Sequence, residues 1–222
     1  GVSELAAELG MHKSTVSRLL ATLEKRGLVR RDGDRFLPGF ELARLGALAI
    51  RGIALVGSAR DSLERLARET GETVNLAVRD GDRALNLHQV QSEHMVGVGD
   101  WTGRALPLHA TANGKVLLAF ADGPLPERLS AVTPKTITSR EELEAELRRI
   151  RDAGFAVALE ELEAGLHAVA APVFEYSGAC VAAVSVSAPA YRLPEQRLPA
   201  VGELCVAAAD DISERLGYRR AA

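Results

Sequence analysis

The chain has 222 residues, which is long enough for one large domain or two small ones that bury a hydrophobic core. Hydrophobic residues make up 47% and charged residues 26% of the chain, proportions that exclude a disordered or fibrous protein. The formal net charge of −3 excludes a polycation, and no apolar stretch approaches the roughly 20 residues of a membrane span.

Cysteine content and the N-terminal sequence narrow the class of protein further. Cys180 and Cys205 are the only cysteines, which argues against a disulfide scaffold or a zinc ribbon and suits a reducing compartment. The sequence has no charged segment followed by an apolar one that would mark a secretory signal. We therefore expect a cytoplasmic protein.

Charge is distributed unevenly along the chain. Residues 1–38 contain seven basic and five acidic side chains, a balance of +2. The remaining 184 residues therefore hold 20 basic and 25 acidic side chains, a balance of −5. This asymmetry predicts a small N-terminal module that faces a polyanion and a larger acidic module after it.

Two helices joined by a tight turn are predicted at the N-terminus. The first covers residues 3–9, with Ser3 as its N-cap, and ends at Gly10. The second begins near Met11 and ends at Gly27, after two basic residues. Its apolar residues recur at helical spacing and predict one buried face: Val16, Leu19, Leu20 and Leu23. This pattern is typical of a helix-turn-helix.

The polar face of the second helix is the candidate DNA-reading surface. Short hydroxyl and basic side chains crowd its N-terminal end, where a recognition helix meets base edges and phosphates. The alternative, a solvated amphipathic helix, is about equally consistent with this segment alone. The candidate residues are His12, Lys13, Ser14, Thr15, Ser17 and Arg18.

A basic hairpin follows the second helix. Residues 28–37 predict two short strands around a type I′ turn at Asp32 and Gly33. Arg30, Arg31 and Arg35 would let this hairpin lie along a sugar–phosphate backbone as a wing. We therefore interpret residues 1–38 as a winged helix-turn-helix. Because such domains usually contain three helices, we expect the chain to begin inside the domain, without its first helix.

The rest of the chain predicts an α+β domain. Residues 39–52 suggest a linker helix buried against another surface, with the apolar residues Phe40, Leu42, Ala43, Leu45, Leu48, Ala49 and Ile50. Residues 53–70 predict a second helix that begins the C-terminal domain, 53–222, with the apolar stripe Leu55, Val56, Ala59, Leu63 and Leu66. Strands are then expected as hairpins at 74–90 and 167–188, with helices at 139–153 and 199–216. Strands that arrive as hairpins indicate a mainly antiparallel sheet.

Four sequence blocks resemble the IclR family of bacterial transcriptional regulators. The N-terminal block is Lys13-Ser14-Thr15-Val16-Ser17-Arg18-Leu19-Leu20. The C-terminal blocks are Pro107-Leu108-His109-Ala110-Thr111-Ala112-Asn113-Gly114-Lys115, then Glu161 with Gly165 and Ala170-Ala171-Pro172-Val173, then Ala183-Val184-Ser185-Val186-Ser187. Their order and spacing cover essentially the whole chain.

This resemblance implies a function that the residues alone do not establish. Members of the family have a winged helix that dimerises and binds palindromic double-stranded operators, as repressors or activators of mostly catabolic operons. Their GAF-like C-terminal domain binds small metabolites, commonly organic or aromatic acids, and often forms tetramers. No cofactor or membrane partner is implied.

The resemblance also places an effector site on three elements of this chain. Ala158 and Ala168 stand where relatives carry an aspartate and a cysteine, so the ligand of one relative cannot be transferred to this chain. Trp101 lies in a glycine-flanked loop before the first C-terminal block and is expected to close over a planar ligand or to pack in a core or interface. The candidate effector-binding residues are Trp101, Leu108, Ala112, Asn113, Gly114, Glu161, Leu166, Ala168, Ser185 and Ser187.

For two of these three elements, the residues themselves indicate a binding role, apart from the resemblance to the family. Ser185 and Ser187 are two apart on a strand, so their hydroxyls leave one face and suggest a polar spot in a cavity; a solvent-facing strand is the alternative. Backbone N–H groups at Asn113 and Gly114, before a predicted helix, could hold a carboxylate, or form an ordinary cap.

Other classes of function fit the sequence less well. A serine hydrolase using His109 or His167 would need a nucleophile elbow, which surrounds no serine in this chain, and His109 is expected to be structural. His88 and His94 lie six residues apart without the partners of a metal site. A domain that only oligomerises remains possible, and it would have a filled core behind Ser185.

Overall fold

The computed structural model describes residues 1–219, and within them the side chains of all residues except 43 and 45–54. These residues divide into two compact units, Gly1–Ala54 and Leu55 onward. Among the helices described, none combines the length and apolar character needed to cross a membrane.

The first unit contains two helices and a hairpin. A small core holds it together, formed by Ala6, Val16 and Leu20, with Val29 and Phe36 packed against them. The elements are α1 (Val2–Glu8), α2 (Lys13–Lys25), β1 (Val29–Asp32) and β2 (Arg35–Pro38).

Three local predictions for this unit are wrong. Ser3 is not an N-cap, because α1 begins one residue earlier, after Gly1. The hairpin turn falls at Gly33 and Asp34, since Asp32 pairs with Arg35 as the last strand residue. Leu19 and Leu23 were predicted on the buried face of α2 but are 49% and 37% exposed, because only Val16 and Leu20 meet the small core.

A single helix, α3 (Phe40–Thr70), replaces the two helices predicted for residues 39–70. No proline lies between them, and the glycines inside α3 weaken a helix without breaking it. Phe40 is 85% exposed, and the buried linker predicted for Ala43, Leu45, Leu48, Ala49 and Ile50 lies outside the described side chains. Of the apolar stripe predicted for the later half, Leu55, Ala59, Leu63 and Leu66 are buried, whereas Val56 is only half-buried.

The second unit is built on a six-stranded sheet in which every neighbouring pair is antiparallel. The strand order is β5-β4-β3-β8-β7-β6. Two of these strands, β5 and β6, are short edge strands that the sequence did not predict. The strands are β3 (Thr73–Asp80), β4 (Arg83–Val90), β5 (Ala105–Pro107), β6 (Ala156–Leu159), β7 (Leu166–Phe174) and β8 (Cys180–Pro189).

Each face of the sheet is covered by helices. Val74, Leu76 and Val186 point to the face that packs against the later half of α3 and against α6. Ala170 and Ala183 point to the opposite face, which packs against α4 and α5. The remaining helices are α4 (Ala112–Phe120), α5 (Arg140–Ala153) and α6 (Leu198–Arg215).

Candidate functional site

A cavity lies between the sheet of the second unit and the start of α4, and we call it the α4 pocket; its empty space, counted together with the open solvent at its mouth, is about 460 Å³. Eight predicted effector-binding residues line it: Trp101, Ala112, Asn113, Glu161, Leu166, Ala168, Ser185 and Ser187. The other lining residues are Asn75, Asn86, Val98, Leu106, Ala110, Thr111, Ala158 and Leu162.

Leu108 and Gly114 lie outside this lining. Leu108 is fully buried beneath α4 and packs in the hydrophobic core. Gly114 lies directly over it: a Cβ atom at Gly114 would come 2.1 Å from the Leu108 carbonyl oxygen. The two residues therefore fix the position of α4 rather than face the cavity.

The strands supply a polar patch to the pocket because antiparallel pairing puts opposite residues on one face. Asn75 of β3 lies directly across from Ser185 of β8, and Ser187 lies across from Ala168 of β7. Ser185 and Ser187 are 2% and 9% exposed, so the strand does not face solvent. Their hydroxyls make no hydrogen bond within the described residues and remain free for a ligand.

The start of α4 contributes backbone donors. Thr111 is the N-cap, and its Oγ1 accepts a hydrogen bond from the Gly114 N–H at 3.0 Å. The helix therefore begins at Ala112, so Asn113 and Gly114 lie in its first turn and not before it, as the sequence suggested. Ala112 and Asn113, in its first turn, line the pocket. N–H groups in a first helical turn lack helical acceptors, and with the helix dipole they favour an anion.

A buried ion pair adjoins the pocket. Lys115 is 1% exposed, and its Nζ lies 2.7 Å from Glu161 Oε1 and 3.2 Å from Glu146 Oε1. Burial raises the pKa of Glu161, and the Lys115 ammonium offsets part of that increase. Arg149 Nη1 lies 3.6 Å from the other carboxylate oxygen of Glu146, so the cluster pairs two cations with two carboxylates. Of these two carboxylates, Glu161 lines the cavity and Glu146 does not.

Trp101 is positioned by its own loop. Its backbone N–H donates to Gln89 Oε1 at 2.9 Å, which ties the loop to β4. The Arg104 guanidinium lies 5.4 Å from the centre of the indole ring. The half-buried indole therefore forms part of the pocket wall.

The candidate DNA-reading residues lie at the start of α2. His12 is the N-cap, and its Nδ1 accepts a hydrogen bond from the Ser14 N–H at 3.3 Å. Ser14, Ser17 and Arg18 are exposed at spacings of three and four, so they share one helix face. Lys13 is also exposed, whereas Thr15 is half-buried.

The three arginines of the hairpin do not share a face. Arg30 and Arg35 point to one side, as the pairing of β1 with β2 requires. Arg31 points to the other, where its guanidinium stacks 5.2 Å from the centre of the Phe36 ring.

The side chains considered for catalysis lie in surroundings typical of residues with a structural role. His109 Nε2 is 2.9 Å from the Ser130 carbonyl oxygen, and His167 Nδ1 is 2.8 Å from that of Leu193. Burial raises the pKa of both cysteine thiols to about 12. Among the described residues, no group of His, Cys, Asp and Glu is arranged to hold a metal ion.

The sequence did not predict several residues that line or adjoin the pocket. Asn75 and Asn86 lie on strands that were predicted, but no face was assigned to them. Thr111 could have been found, because threonine is a favoured N-cap residue and stands shortly before the predicted helix. Lys115 gave no signal of its burial, since lysine on a helix is usually solvated.

A winged helix-turn-helix joined by one long helix to an α+β domain defines a two-domain transcriptional regulator that binds DNA. Comparison with protein families identifies the family of regulators. The family model described as IclR helix-turn-helix domain matches residues 1–33, and the one described as bacterial transcriptional regulator IclR C-terminal matches residues 47–214. The chain belongs to the IclR family, and it is a transcriptional regulator rather than an enzyme.

Individual relatives agree with this assignment. The transcriptional regulator KdgR of Escherichia coli K12 is 36% identical over 98% of this chain and 86% of its own. The crystal structure of Thermotoga maritima IclR superposes with a TM-score of 0.70 at 34% identity, covering 98% and 91% of the two chains. An IclR homologue from Microbacterium hydrocarbonoxydans, complexed with 4-hydroxybenzoate, has a TM-score of 0.69 at 26% identity, covering 97% and 90%.

Proposed function

We propose that this protein controls an operon of catabolic genes in response to a small organic or aromatic acid bound in the α4 pocket. The observation that carries the proposal is the pocket itself, where free serine hydroxyls and the start of α4 meet in one cavity. A domain that only oligomerises would need no such cavity. The 4-hydroxybenzoate complex of the Microbacterium homologue supports an acid as the ligand class.

DNA recognition is assigned to the first unit. In this proposal residues 12–18 enter the major groove, with Lys13 and Arg18 on phosphates or guanine edges. Arg30 and Arg35 follow the sugar–phosphate backbone, while Arg31 reaches it from the opposite face of the wing. The protein acts in the cytoplasm as a dimer or tetramer on a palindromic operator.

Coupling between effector and DNA is assigned to α3, the one element that belongs to both units. An acid that binds one state of the protein better than another shifts the population toward that state. Effector binding would then change which spacings of the two DNA-binding units are populated, and with them the affinity for the operator.

Replacing Arg18 with alanine is expected to weaken operator binding by about 1–3 kcal/mol if the guanidinium reads a base. The operator is first selected from a random DNA pool with the full-length wild-type protein, and affinities are measured by fluorescence anisotropy at fixed salt. Arg128→Ala, which removes an exposed arginine from the second unit, should leave affinity unchanged. An Arg18→Ala variant with wild-type affinity and sequence preference would remove Arg18 from the interface.

Replacing Ser185 and Ser187 together with alanine is expected to abolish stabilisation by the effector without destabilising the empty protein, because neither hydroxyl has a hydrogen-bond partner to lose. A ligand at a hundredfold excess over its Kd stabilises a wild-type site by about 2.7 kcal/mol. Thermal unfolding, without ligand and with a panel of carboxylic and aromatic acids, measures the stability of the empty protein and its increase on binding. Ser177→Ala, in the turn between β7 and β8, is the control; a double variant that responds like wild type would place the site elsewhere.

A further inference from the structure

The chain between β4 and β5, residues 91–104, lies against both the α4 pocket and the end of α3, and we call it the β4–β5 loop. Towards β5 it contributes Val98 and Trp101 to the lining of the pocket. Towards β4, the Ser92 hydroxyl donates at 2.8 Å to the carbonyl oxygen of Gly71, the residue that follows α3. One loop therefore connects the candidate effector site with the helix that belongs to both units.

The outer part of this loop has little buried surface. Residues 93–97 are all exposed, and Met95 is fully so. Among the described residues, one hydrogen bond joins this stretch to the chain outside the loop: Arg192 Nη1 donates to the Val96 carbonyl oxygen at 2.8 Å. Because a segment with so few buried contacts opens locally at low free-energy cost, this hydrogen bond largely determines where the loop lies.

The same guanidinium pairs with a buried carboxylate beside α3. Arg192 Nε and Nη2 donate to the two carboxylate oxygens of Glu72 at 2.7 and 2.8 Å, and Glu72 is only 3% exposed. Glu72 stands between the end of α3 and the start of β3. A bidentate pair of this kind fixes the orientation of both partners.

Arg192 is also held from its own side of the domain. It lies between β8 and α6, where its carbonyl oxygen accepts a hydrogen bond from Arg197 Nη1 at 2.7 Å. Its Nη1 donates in addition to the hydroxyl oxygen of Tyr191 at 2.8 Å. A single, well-supported guanidinium therefore contacts the β4–β5 loop and the end of α3 at the same time.

We infer that Arg192 is a positioning residue for the effector response, because it joins the β4–β5 loop to the end of α3. An acid that contacts Val98 or Trp101 favours one position of the loop over others. Since the planar guanidinium holds Val96 and Glu72 together, a change in the loop and a change at the end of α3 occur together. The inference rests on the proposed function and adds the contact through which the effector acts on α3.

Arg192→Lys tests the inference through the coupling between acid and DNA. Lysine keeps the charge that pairs with Glu72, but its ammonium lacks the planar fork that bonds the carboxylate and the Val96 carbonyl together. Fluorescence anisotropy of the full-length protein, on DNA that it selects from a random pool, gives the ratio of affinities with and without an acid that stabilises it. The ratio should be at least about fivefold for wild type and less than about twofold for the variant.

Thermal unfolding of Arg192→Lys with the same acid separates coupling from binding. We expect the acid still to stabilise the variant, because Arg192 does not line the α4 pocket. A variant that the acid no longer stabilises would show that Arg192 shapes the pocket, and would contradict the inference. A variant that keeps the wild-type ratio would overturn the inference and leave the proposed function standing, whereas a wild-type affinity that no stabilising acid alters would contradict both.

Arg79→Lys is the matched control. Arg79 is likewise half-buried, and it donates to the carbonyl oxygens of Gly81 and Pro124 in two different loops. It lies at the far end of β3 from Glu72 and does not line the α4 pocket. The control should therefore keep the wild-type ratio; an equal loss of coupling in both variants would overturn the specific role of Arg192.

A double variant keeps the test decisive if Arg192→Lys does not fold. Glu72→Met together with Arg192→Met leaves neither charge stranded, and apolar replacement of a buried ion pair often preserves stability. The methionine at position 192 has no donor for the Val96 carbonyl oxygen, so the ratio should again fall below about twofold while the acid still stabilises the protein. A double variant with the wild-type ratio would overturn the role of Arg192.

Discussion

Replacing Lys115 with methionine is expected to lower the free energy of unfolding by about 3–5 kcal/mol at neutral pH, the cost of breaking a buried ion pair from one side. Lys115 is 1% exposed and is the cation that contacts both Glu161 and Glu146. Methionine fills a similar volume, so the loss reports the stranded carboxylate of Glu161 rather than a cavity. Urea denaturation at one fixed protein concentration measures it.

The pH dependence of the Lys115→Met variant has a definite sign. Burial already raises the pKa of Glu161, and the variant removes the ammonium that offsets this increase. The folded variant therefore binds a proton more readily than its unfolded chain, and its stability falls as the pH rises through the titration of that carboxyl. The deficit relative to wild type should be smaller at pH 5 than at pH 8.

Glu146→Gln is the control for this experiment. It leaves Lys115 paired with Glu161 at 2.7 Å, and the Glu146 side chain is already 22% exposed, so the loss should be no more than about 1 kcal/mol. A Lys115→Met variant as stable as wild type at pH 7 would mean that Glu161 is not held as a buried carboxylate.

Replacing Gly114 with alanine is expected to destabilise the protein by about 3 kcal/mol, the upper end of the usual cost of overpacking a well-packed core. The new Cβ would lie 2.1 Å from the carbonyl oxygen and 2.4 Å from the Cα of Leu108, atoms of the backbone that cannot rotate away. Relief requires α4 to move, and α4 carries Ala112 and Asn113 in the pocket wall. Ligand binding should therefore weaken together with stability.

Gly57→Ala is the same substitution at a position where we expect it to stabilise the protein. Gly57 lies in α3 with open space around the position of a Cβ atom. Alanine there should raise the free energy of unfolding by about 0.5–1 kcal/mol, through its higher helix propensity. A comparison of the two urea midpoints checks both expectations; a Gly114→Ala variant within 0.5 kcal/mol of wild type, on the scale of an ordinary surface change, would contradict the packing described for α4.

The sequence predicted the fold well where periodicity is strong. The strand pairs around Asp80 and Ser177 and the stripe of Leu55, Ala59, Leu63 and Leu66 could be identified from spacing alone. The short edge strands β5 and β6 could not, because three or four residues give too little alternation to recognise. The break predicted within residues 39–70 was wrong, since a change in hydrophobic composition does not by itself end a helix.

Only part of the candidate pocket was predicted, because local spacing identifies some of its residues and long-range pairing brings in the others. Ser185 and Ser187 stood out because two hydroxyls two residues apart share a strand face. Asn75 lies opposite Ser185 only through the pairing of β3 with β8, strands separated by about half the chain, and no local pattern reports that register. Likewise, the contact between Lys115 and Glu161 joins α4 to the segment after β6, so neither residue alone predicts a buried pair.

In the proposed function, one protein binds a specific DNA site and changes its affinity for that site when an acid occupies the α4 pocket. Fluorescence anisotropy of the full-length protein on DNA that it selects from a random pool, with and without an acid that stabilises it, measures this coupling directly. We expect the acid to change the wild-type affinity at least fivefold, the lower range of typical allosteric coupling, and to leave the Ser185→Ala, Ser187→Ala variant unchanged. An affinity that no stabilising acid alters would contradict the account.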